Sequence, residues 1–356
     1  MTRRQKNDAP LVVVGMSGGV DSSVTAYLLK EQGFNVVGVY MKNWREEDKG
    51  CCGAERDFSD VKRVCEAIDI PYYSIDFSKE YLDKVFTHFL RGLEKGITPN
   101  PDVLCNREIK FGPFLDFADK IGAQYLATGH YCRIENGQLL RAKDDSKDQS
   151  YFLCALSETQ LERVIFPLGE LLKTDVRKIA KKLNLVTHDK KDSTGICFIG
   201  ERNYRNFLEK YLGNKPGDIK NLQGEIVGKH GGLAYYTIGQ RKGLRLGGTT
   251  ENTERWFVVK KDVKSNTLFV NNGDCKELYS KSLLATDFNW LVTPQNNSFA
   301  CTAKTRYRQP DQDCFVEVLE DSVRVTFAKP VRAVTPGQWV VLYDGDLVLG
   351  GGEIIK

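Results

Sequence analysis

Residues 12–29 read VVVGMSGGVDSSVTAYLL. An unbroken apolar run ends in a Ser-Gly-Gly turn and opens directly into a helical pattern, with Asp21 and Ser22 at its start and Gly33 as its stop. A strand that turns on glycines into a helix aims backbone N–H groups and the positive end of a helix dipole at one spot, which suits an anion. The turn is not a Walker A loop, because no Gly-Lys-Ser/Thr follows the glycines. Ser17, Gly18 and Gly19 offer N–H groups, and Ser17 and Ser22 offer hydroxyls. A carboxylate at Asp21 would repel a bare phosphate, so it is expected either to hold a magnesium ion or to fix the turn.

The chain around this loop has 356 residues, 41% hydrophobic and 28% charged, an ordinary globular composition long enough for two or three domains. No apolar stretch is long enough to span a bilayer, and the apolar run after the basic start MTRRQKNDAP is too short for a signal peptide. A cytoplasmic protein without a membrane partner is expected. Fifty-one basic against 47 acidic residues give a net charge of +4, which neither requires nor excludes a nucleic-acid partner. Ten cysteines without a CxxC, beside four histidines, argue against a structural zinc site, and no metal-ligating residues are assigned. Most of these thiols read as small buried hydrophobes, and the adjacent Cys51 and Cys52 receive no role.

Strand and helix patterns alternate through the first half: LVVVG, DSSVTAYLLKEQG, NVVGVYM, FSDVKRVCEAID, PYYSIDF, then two helical stretches, EYLDKVFTHFLRGLEKG and EIKFGPFLDFADKIG, and the strand-like AQYLATGH. This rhythm predicts an α/β domain with a parallel, doubly wound sheet and ligands at the carboxyl ends of its strands. After about residue 205 come short alternating runs punctuated by Asn, Gly, Asp and Pro, which predict two small β-rich domains, the last a β-barrel. The expected bounds are 1–206, 207–279 and 280–356.

The stretch SGGVDSS resembles the PP-loop of the ATP pyrophosphatases, an adenine nucleotide alpha hydrolase-like fold whose members cleave ATP between the α and β phosphates. Seven further segments narrow the resemblance: GITPNPDVLCNREIKFG (96–112), ATGHY (127–131), KDQSYFL (147–153), KDSTGICFIGER (191–202), YTIGQRKGL (236–244), KTRYRQ (304–309) and VTPGQ (334–338). In this order, over nearly the whole chain, they closely resemble the tRNA-specific 2-thiouridylase family. The resemblance implies an enzyme, a sulfurtransferase, that adenylates the C2 oxygen of the wobble uridine of tRNA and replaces it with persulfide sulfur, releasing AMP and pyrophosphate. It implies ATP as cosubstrate, magnesium arriving with the nucleotide, and a cysteine desulfurase or sulfur-relay protein as donor.

Residue roles follow from the same resemblance. Gly15, Met16, Ser17, Gly18, Gly19, Val20, Asp21, Ser22, Met41 and Gly129 would line the ATP site. Cys197 would carry the persulfide and Cys105 would be its nucleophilic partner, the pair ending as a disulfide to be reduced. Cys105 is read as lying just ahead of a helix whose dipole favours thiolate. Asn100, Pro101 and Asp102 would touch the target base, with Asp102 also placed for proton transfer; an Asn-Pro-Asp turn with a helix cap is the bland reading of the same residues. His130, Lys147, Asp148, Gln149, Arg306, Tyr307 and Gln338 would meet tRNA, and Arg241, Lys242 and Arg245 form a basic cluster suited to its backbone. A solvated polar turn is the alternative for 147–149, and plain surface for 306–307.

Other readings compete. A PP-loop ligase of small-molecule metabolism would share SGGVDS without needing Cys105, Cys197 or TRYRQ. A non-catalytic tRNA binder would not need an intact PP-loop. An iron–sulfur cluster on Cys105 and Cys197, perhaps with Asp102, is less favoured, since two thiols fall short of the usual four ligands.

Overall fold

The structure, a computed structural model, describes residues 9–45, 53–192, 204–247 and 255–356. The chain packs into two compact units. One takes Met1–Val85, Pro101–Glu201 and Gly345–Leu349, and the other Phe86–Asn100, Arg202–Asp344 and Gly350–Lys356.

The first unit is built on β1 (Leu11–Met16), α1 (Val20–Glu31), β2 (Asn35–Lys42), α2 (Gly53–Ala67) and β3 (Tyr72–Asp76). They are followed by β4 (Tyr125–Ala127), the hairpin strands β5 (Cys132–Glu135) and β6 (Gln138–Arg141), and β7 (Val164–Ile165). Val12, Val13 and Val14 are fully buried, because a strand covered on both faces has no need to alternate. The sheet runs β3-β2-β1-β4-β7, and every pairing is parallel. The order reverses direction between β1 and β4, so the crevice past their carboxyl ends is the expected ligand position. The loop Ser17–Gly19 leaves β1 there, and Gly129 follows β4 by two residues. The expected α/β class is therefore seen in this unit.

Two local expectations need correction. The stretch 108–122 is not one helix. A helical turn over Asn106–Lys110 stops, Gly112 takes φ −107 and ψ −109, and Pro113 opens a new helix, Pro113–Lys120. Proline cannot donate into a preceding turn and its ring disfavours a helical residue before it, so the break falls where the sequence puts Gly-Pro. The second correction is β5–β6, an antiparallel hairpin inside the parallel half. Its turn, Asn136-Gly137, has φ of 52° and 77°, the left-handed pair that a tight hairpin demands. Leu140 of β6 pairs with Leu347 from the last strand, and Arg133 of β5 reaches Asp346 at 2.7 Å.

In the second unit the helix Thr87–Glu94 and the helix Tyr204–Leu212 meet through aromatic rings, with Phe86 5.7 Å from Phe207 and 4.9 Å from Tyr211. Phe86 and Phe89 of the stretch YLDKVFTHFL are thus core in this part. A four-stranded sheet follows, β8 (Gly217–Lys220), β9 (Ile226–His230), β10 (Trp256–Asp262) and β11 (Thr267–Asn272), in the order β10-β11-β8-β9. Ile219, Val258, Leu268 and Val270 form its buried face.

Then come β12 (Tyr279–Trp290), β13 (Ser298–Lys304), β14 (Gln312–Val318), β15 (Val323–Arg332), β16 (Trp339–Asp344) and β17 (Leu347–Ile354). β12 pairs with β15 on one side and with β17 on the other, which closes the strands into a barrel. Closure removes the open edges that a sheet would otherwise expose.

The hairpin turn gives a clean test. A Cβ on Gly137 would meet nothing within 4 Å, so Gly137→Ala carries backbone strain alone. A loss of about 1 kcal/mol is expected in urea unfolding. An unchanged midpoint would mean that the turn relaxes.

Candidate nucleotide and thiol site

The loop Ser17–Gly19 is held by its own hydroxyls, with the Gly19 N–H donating to Ser17 Oγ at 3.3 Å. Ser22 Oγ accepts from the Ser17 N–H at 3.1 Å and lies 3.2 Å from Ser17 Oγ, and Ser23 Oγ donates to the Gly19 carbonyl at 2.8 Å. Gly19 precedes α1 and makes no side-chain cap hydrogen bond, so among the described residues no cap side chain from Gly19 takes a first-turn N–H of α1. Gly18 has φ +75, and a Cβ there would fall 2.6 Å from the Asp57 carbonyl oxygen on α2. Only glycine lets the loop settle that closely. Lys190 fastens the same contact: its Nζ donates to the Gly18 carbonyl at 2.9 Å and to Asp57 and Asp60 at 2.7 Å each. Burial would lower the Lys190 ammonium, but its hydrogen bonds to both carboxylates raise it above its ordinary value.

Asp21 is occupied on both oxygens. Lys173 Nζ donates to Oδ1 and Oδ2 at 2.7 Å, and the Tyr131 hydroxyl donates to Oδ1 at 2.8 Å. Burial, then the Asp21 charge, push the Tyr131 phenol up, which keeps it a donor. The helix Lys173–Lys182 supplies the lysine from its first position, where Asp144 Oδ2 accepts the Lys173 backbone N–H at 2.9 Å. Lys173 is 8% exposed and reaches a second carboxylate, Asp192, at 2.8 Å. Asp192 also takes Lys147 at 2.7 Å and Arg177 at 2.8 Å. Burial alone would raise this carboxyl; hydrogen bonds from Lys147 and Lys173, with their charges, overcome it and hold it at about 2. Asp21 therefore fixes the first turn of α1 and presents a neutralised rather than a naked charge.

The other residues expected to line the ATP site lie in the same unit. Met16 and Met41 are buried, and a Cβ on Gly15 would sit 3.2 Å from Phe114 and 3.7 Å from the Met41 methyl. A Cβ on Gly129 would lie 2.9 Å from the Ser22 nitrogen and 3.0 Å from Asp21 Cβ, so β4's exit packs directly on the first turn of α1. His130 next to it is buried. Its Nδ1 is 2.7 Å from Thr128 Oγ1 and its Nε2 3.4 Å from Lys110 Nζ. An ammonium donates, so Nε2 is the acceptor and the proton sits on Nδ1. Burial, aided by the Lys110 charge, drives this imidazole well below its ordinary value, and it stays neutral near pH 7.

Cys105 corrects an expectation. It is the last residue of the short helix Pro101–Cys105, which runs on into the turn Asn106–Lys110, so it does not stand ahead of a helix N-terminus. Pro101, with no N–H to lose, takes the first helical position instead. Cys105 is fully buried, Pro101 and Asn100 are buried, and Asp102 is half-buried. Cys197 lies outside the described residues, as do Cys51 and Cys52, so the structure does not place the two proposed thiols together. Among the described residues no three His, Cys, Asp or Glu gather as a metal site.

The residues read as RNA contacts divide. Lys147 is paired with Asp192. Asp148 is buried and accepts from the N–H groups of Ala142 and Ser150 at 3.0 and 3.2 Å, and Gln149 Oε1 accepts from the Tyr131 N–H at 3.0 Å. Those three residues build the wall that carries Tyr131. In the second unit, Arg306 donates to three oxygens, of Ile238, Ala333 and Thr335. Gln338 donates to the Thr98 carbonyl at 2.7 Å. Arg241, Lys242 and Arg245 are exposed. Exposed Arg308, absent from the sequence reading, sits at φ +62 with its guanidinium 5.2 Å from the Tyr307 ring centre. Lys173 and Lys190 are absent as well, while Tyr131 and Asp192 lie within ATGHY and KDSTGICFIGER without an assigned role. Lysines and aspartates so far from SGGVDS carry no local signal of their partners.

A parallel sheet with an uncapped glycine loop at its switch point defines an ATP-using HUP domain. Residues 10–201 match the family described as tRNA methyl transferase HUP domain, residues 205–272 the tRNA methyl transferase PRC-barrel domain, and residues 280–354 the aminomethyltransferase beta-barrel domain. The tRNA-specific 2-thiouridylase MnmA of Listeria monocytogenes is 57% identical over 351 residues, covering 96% of this chain and 94% of that protein. Its namesake from Staphylococcus aureus is 56% identical over 355 residues, with the same coverage. The chain belongs to the tRNA-specific 2-thiouridylase family.

Two outcomes follow from the geometry. Gly129→Ala pushes on the first turn of α1 and is expected to weaken ATP binding about tenfold in calorimetry, with the fold retained; unchanged affinity would separate Gly129 from the nucleotide. His130 is neutral when folded but titrates near 6.5 when unfolded. The unfolded chain then binds the extra proton, so this contribution to stability is present above that value and is lost as pH falls below it. His130→Gln is expected to flatten urea stability between about pH 7 and 5, and an identical slope would contradict a neutral buried imidazole.

Proposed function

We propose that the protein 2-thiolates the wobble uridine of tRNA at the expense of ATP. The observation that supports this reading is the glycine loop Ser17–Gly19, which leads into α1 without a side-chain cap from Gly19, together with an Asp21 already neutralised by Lys173, which suits a triphosphate. The uracil C2 oxygen attacks the α phosphorus, pyrophosphate leaves, and C2 becomes electrophilic. Met41 and Gly129 would hold adenosine, and the loop residues Gly15–Ser22 the phosphates. Magnesium would ride on the nucleotide's own oxygens, since both Asp21 oxygens are taken within the protein.

The terminal sulfur of a Cys197 persulfide then adds to C2 and AMP departs. Cys105 thiolate attacks the Cys197 sulfur, the sulfur–sulfur bond to the base breaks, and 2-thiouridine is released beside a Cys105–Cys197 disulfide. A thiol reductant and a fresh persulfide, from a desulfurase or relay protein, reset the pair. Asp102 would serve the base's proton balance with Asn100 and Pro101 against the ring, and neutral His130 would act as a hydrogen-bonding group rather than a charge.

The β-rich regions 207–279 and 280–356 would hold the tRNA while its base is extruded. Tyr307 with Arg308 over its ring, and the cluster Arg241, Lys242 and Arg245, offer stacking and phosphate contacts. Residues 1–206 would do the chemistry.

The test incubates wild type, Cys105→Ser and Cys197→Ser with unmodified tRNA, ATP, magnesium and a desulfurase source. Mass spectrometry reads 2-thiouridine and a coupled assay reads pyrophosphate. Thiolation by wild type alone, with pyrophosphate release surviving in both variants, is expected. Pyrophosphate release without tRNA and unaffected by either serine would point to a small-molecule ligase.

A further inference from the structure

The turn Thr335–Gln338 of the barrel grips a segment that lies more than 200 positions earlier in the chain. Thr98 donates its N–H to the Pro336 carbonyl at 2.9 Å and accepts at its own carbonyl from Gln338 Nε2 at 2.7 Å. Both polar groups of one peptide residue are thus held by one turn. Gly337, between those two partners, has φ +90, and a Cβ there would fall 2.8 Å from Thr98 C and 2.9 Å from Pro99 N. Thr335 beneath the turn is 1% exposed, and its hydroxyl donates to the Ala333 carbonyl and accepts from Arg306 at 2.7 Å. Arg306 also takes the Ile238 carbonyl at 2.8 Å, and the Thr237 hydroxyl is 3.3 Å from that of Thr98. Two residues past Thr98 the chain reads Asn100-Pro101-Asp102, and three further on is Cys105.

We infer that Gln338 and Gly337 are positioning residues for the Asn100-Pro101-Asp102 turn, acting through Thr98, and that Arg306 braces the turn that carries them. Gln338 thereby serves the rate of the reaction rather than the affinity for RNA. This rests on the proposed thiolation for its kinetic readout. A backbone fixed at two atoms and packed against a glycine has little freedom, and small misplacements near reacting groups are costly in rate.

The experiment uses the full chain with Gln338→Ala, Gln338→Glu (same size, no donor) and Gly337→Ala. It measures tRNA dissociation constants over a salt series and single-turnover thiolation at saturating tRNA and ATP. Expected are tRNA affinities and salt slopes within about twofold of wild type, and thiolation rates lowered about tenfold or more in all three. Gly337→Ala matters most, since it deletes no side chain that RNA touches. A weakened affinity with a wild-type rate at saturation, or a wild-type rate in Gly337→Ala, would overturn the inference. Hydrogen exchange over residues 95–100 is read on the same proteins and needs no activity. Faster exchange with the rest of the chain unchanged supports the clamp, even if wild type does not thiolate. Unchanged exchange overturns it, and exchange raised throughout the chain in all three variants would make Gln338 and Gly337 general stability residues instead.

Discussion

The Lys173 ammonium, buried between the carboxylates of Asp21 and Asp192, is the interaction on which the proposed nucleotide site depends. Asp21 stands in the first turn of α1, where a negative charge is favoured by the helix dipole but opposed to an incoming phosphate. Pairing it with Lys173 and hydrogen-bonding it to Tyr131 keeps the first benefit and cancels the second. The same ammonium ties α1 to the helix Lys173–Lys182 and to Asp192, which Lys147 and Arg177 hold from other sides. Removing the lysine would leave Asp21, which keeps about a third of its exposure, with only the Tyr131 hydroxyl, while Asp192 keeps Lys147 and Arg177, so the cost is about 3 kcal/mol, the low end for a broken buried pair.

A second anchor works on the loop itself. Lys190 joins the Gly18 carbonyl to Asp57 and Asp60, and Gly18 gives up a side chain to let α2 approach. Together with Gly129 against Ser22, two close backbone approaches and one buttressing lysine surround one short turn. The glycines at 18 and 129 are therefore packing requirements as much as conformational ones.

Much of this was legible in the sequence because its signals are local. The Val12–Val14 run, the glycine turn and the stop at Gly33 each act within a few residues, and β1, α1 and β2 form where their patterns lie. The Asn136-Gly137 hairpin carried an equally local signal but was masked by the parallel rhythm on either side. Long-range pairings carried none: nothing near Lys173 announces Asp21, 152 positions away, and nothing near Gln338 announces Thr98, 240 positions away. The excursion Phe86–Asn100 into the second unit is likewise set by ring packing with Phe207 and Tyr211, which a helical period cannot reveal. Cys105 was found by its motif, yet its place at the end of a helical turn depended on Pro101 opening that turn four residues earlier.

The central claim is that Asp21 fixes the turn in a neutralised state and leaves magnesium to the nucleotide. Calorimetric binding of ATP to wild type and Lys173→Met, each with and without magnesium, tests it most directly. The account predicts affinity lowered about tenfold or more in the variant under both conditions, as an unpaired carboxylate meets the phosphates. Affinity for magnesium–ATP that is unchanged, or strengthened because a freed Asp21 takes up the metal, would contradict it.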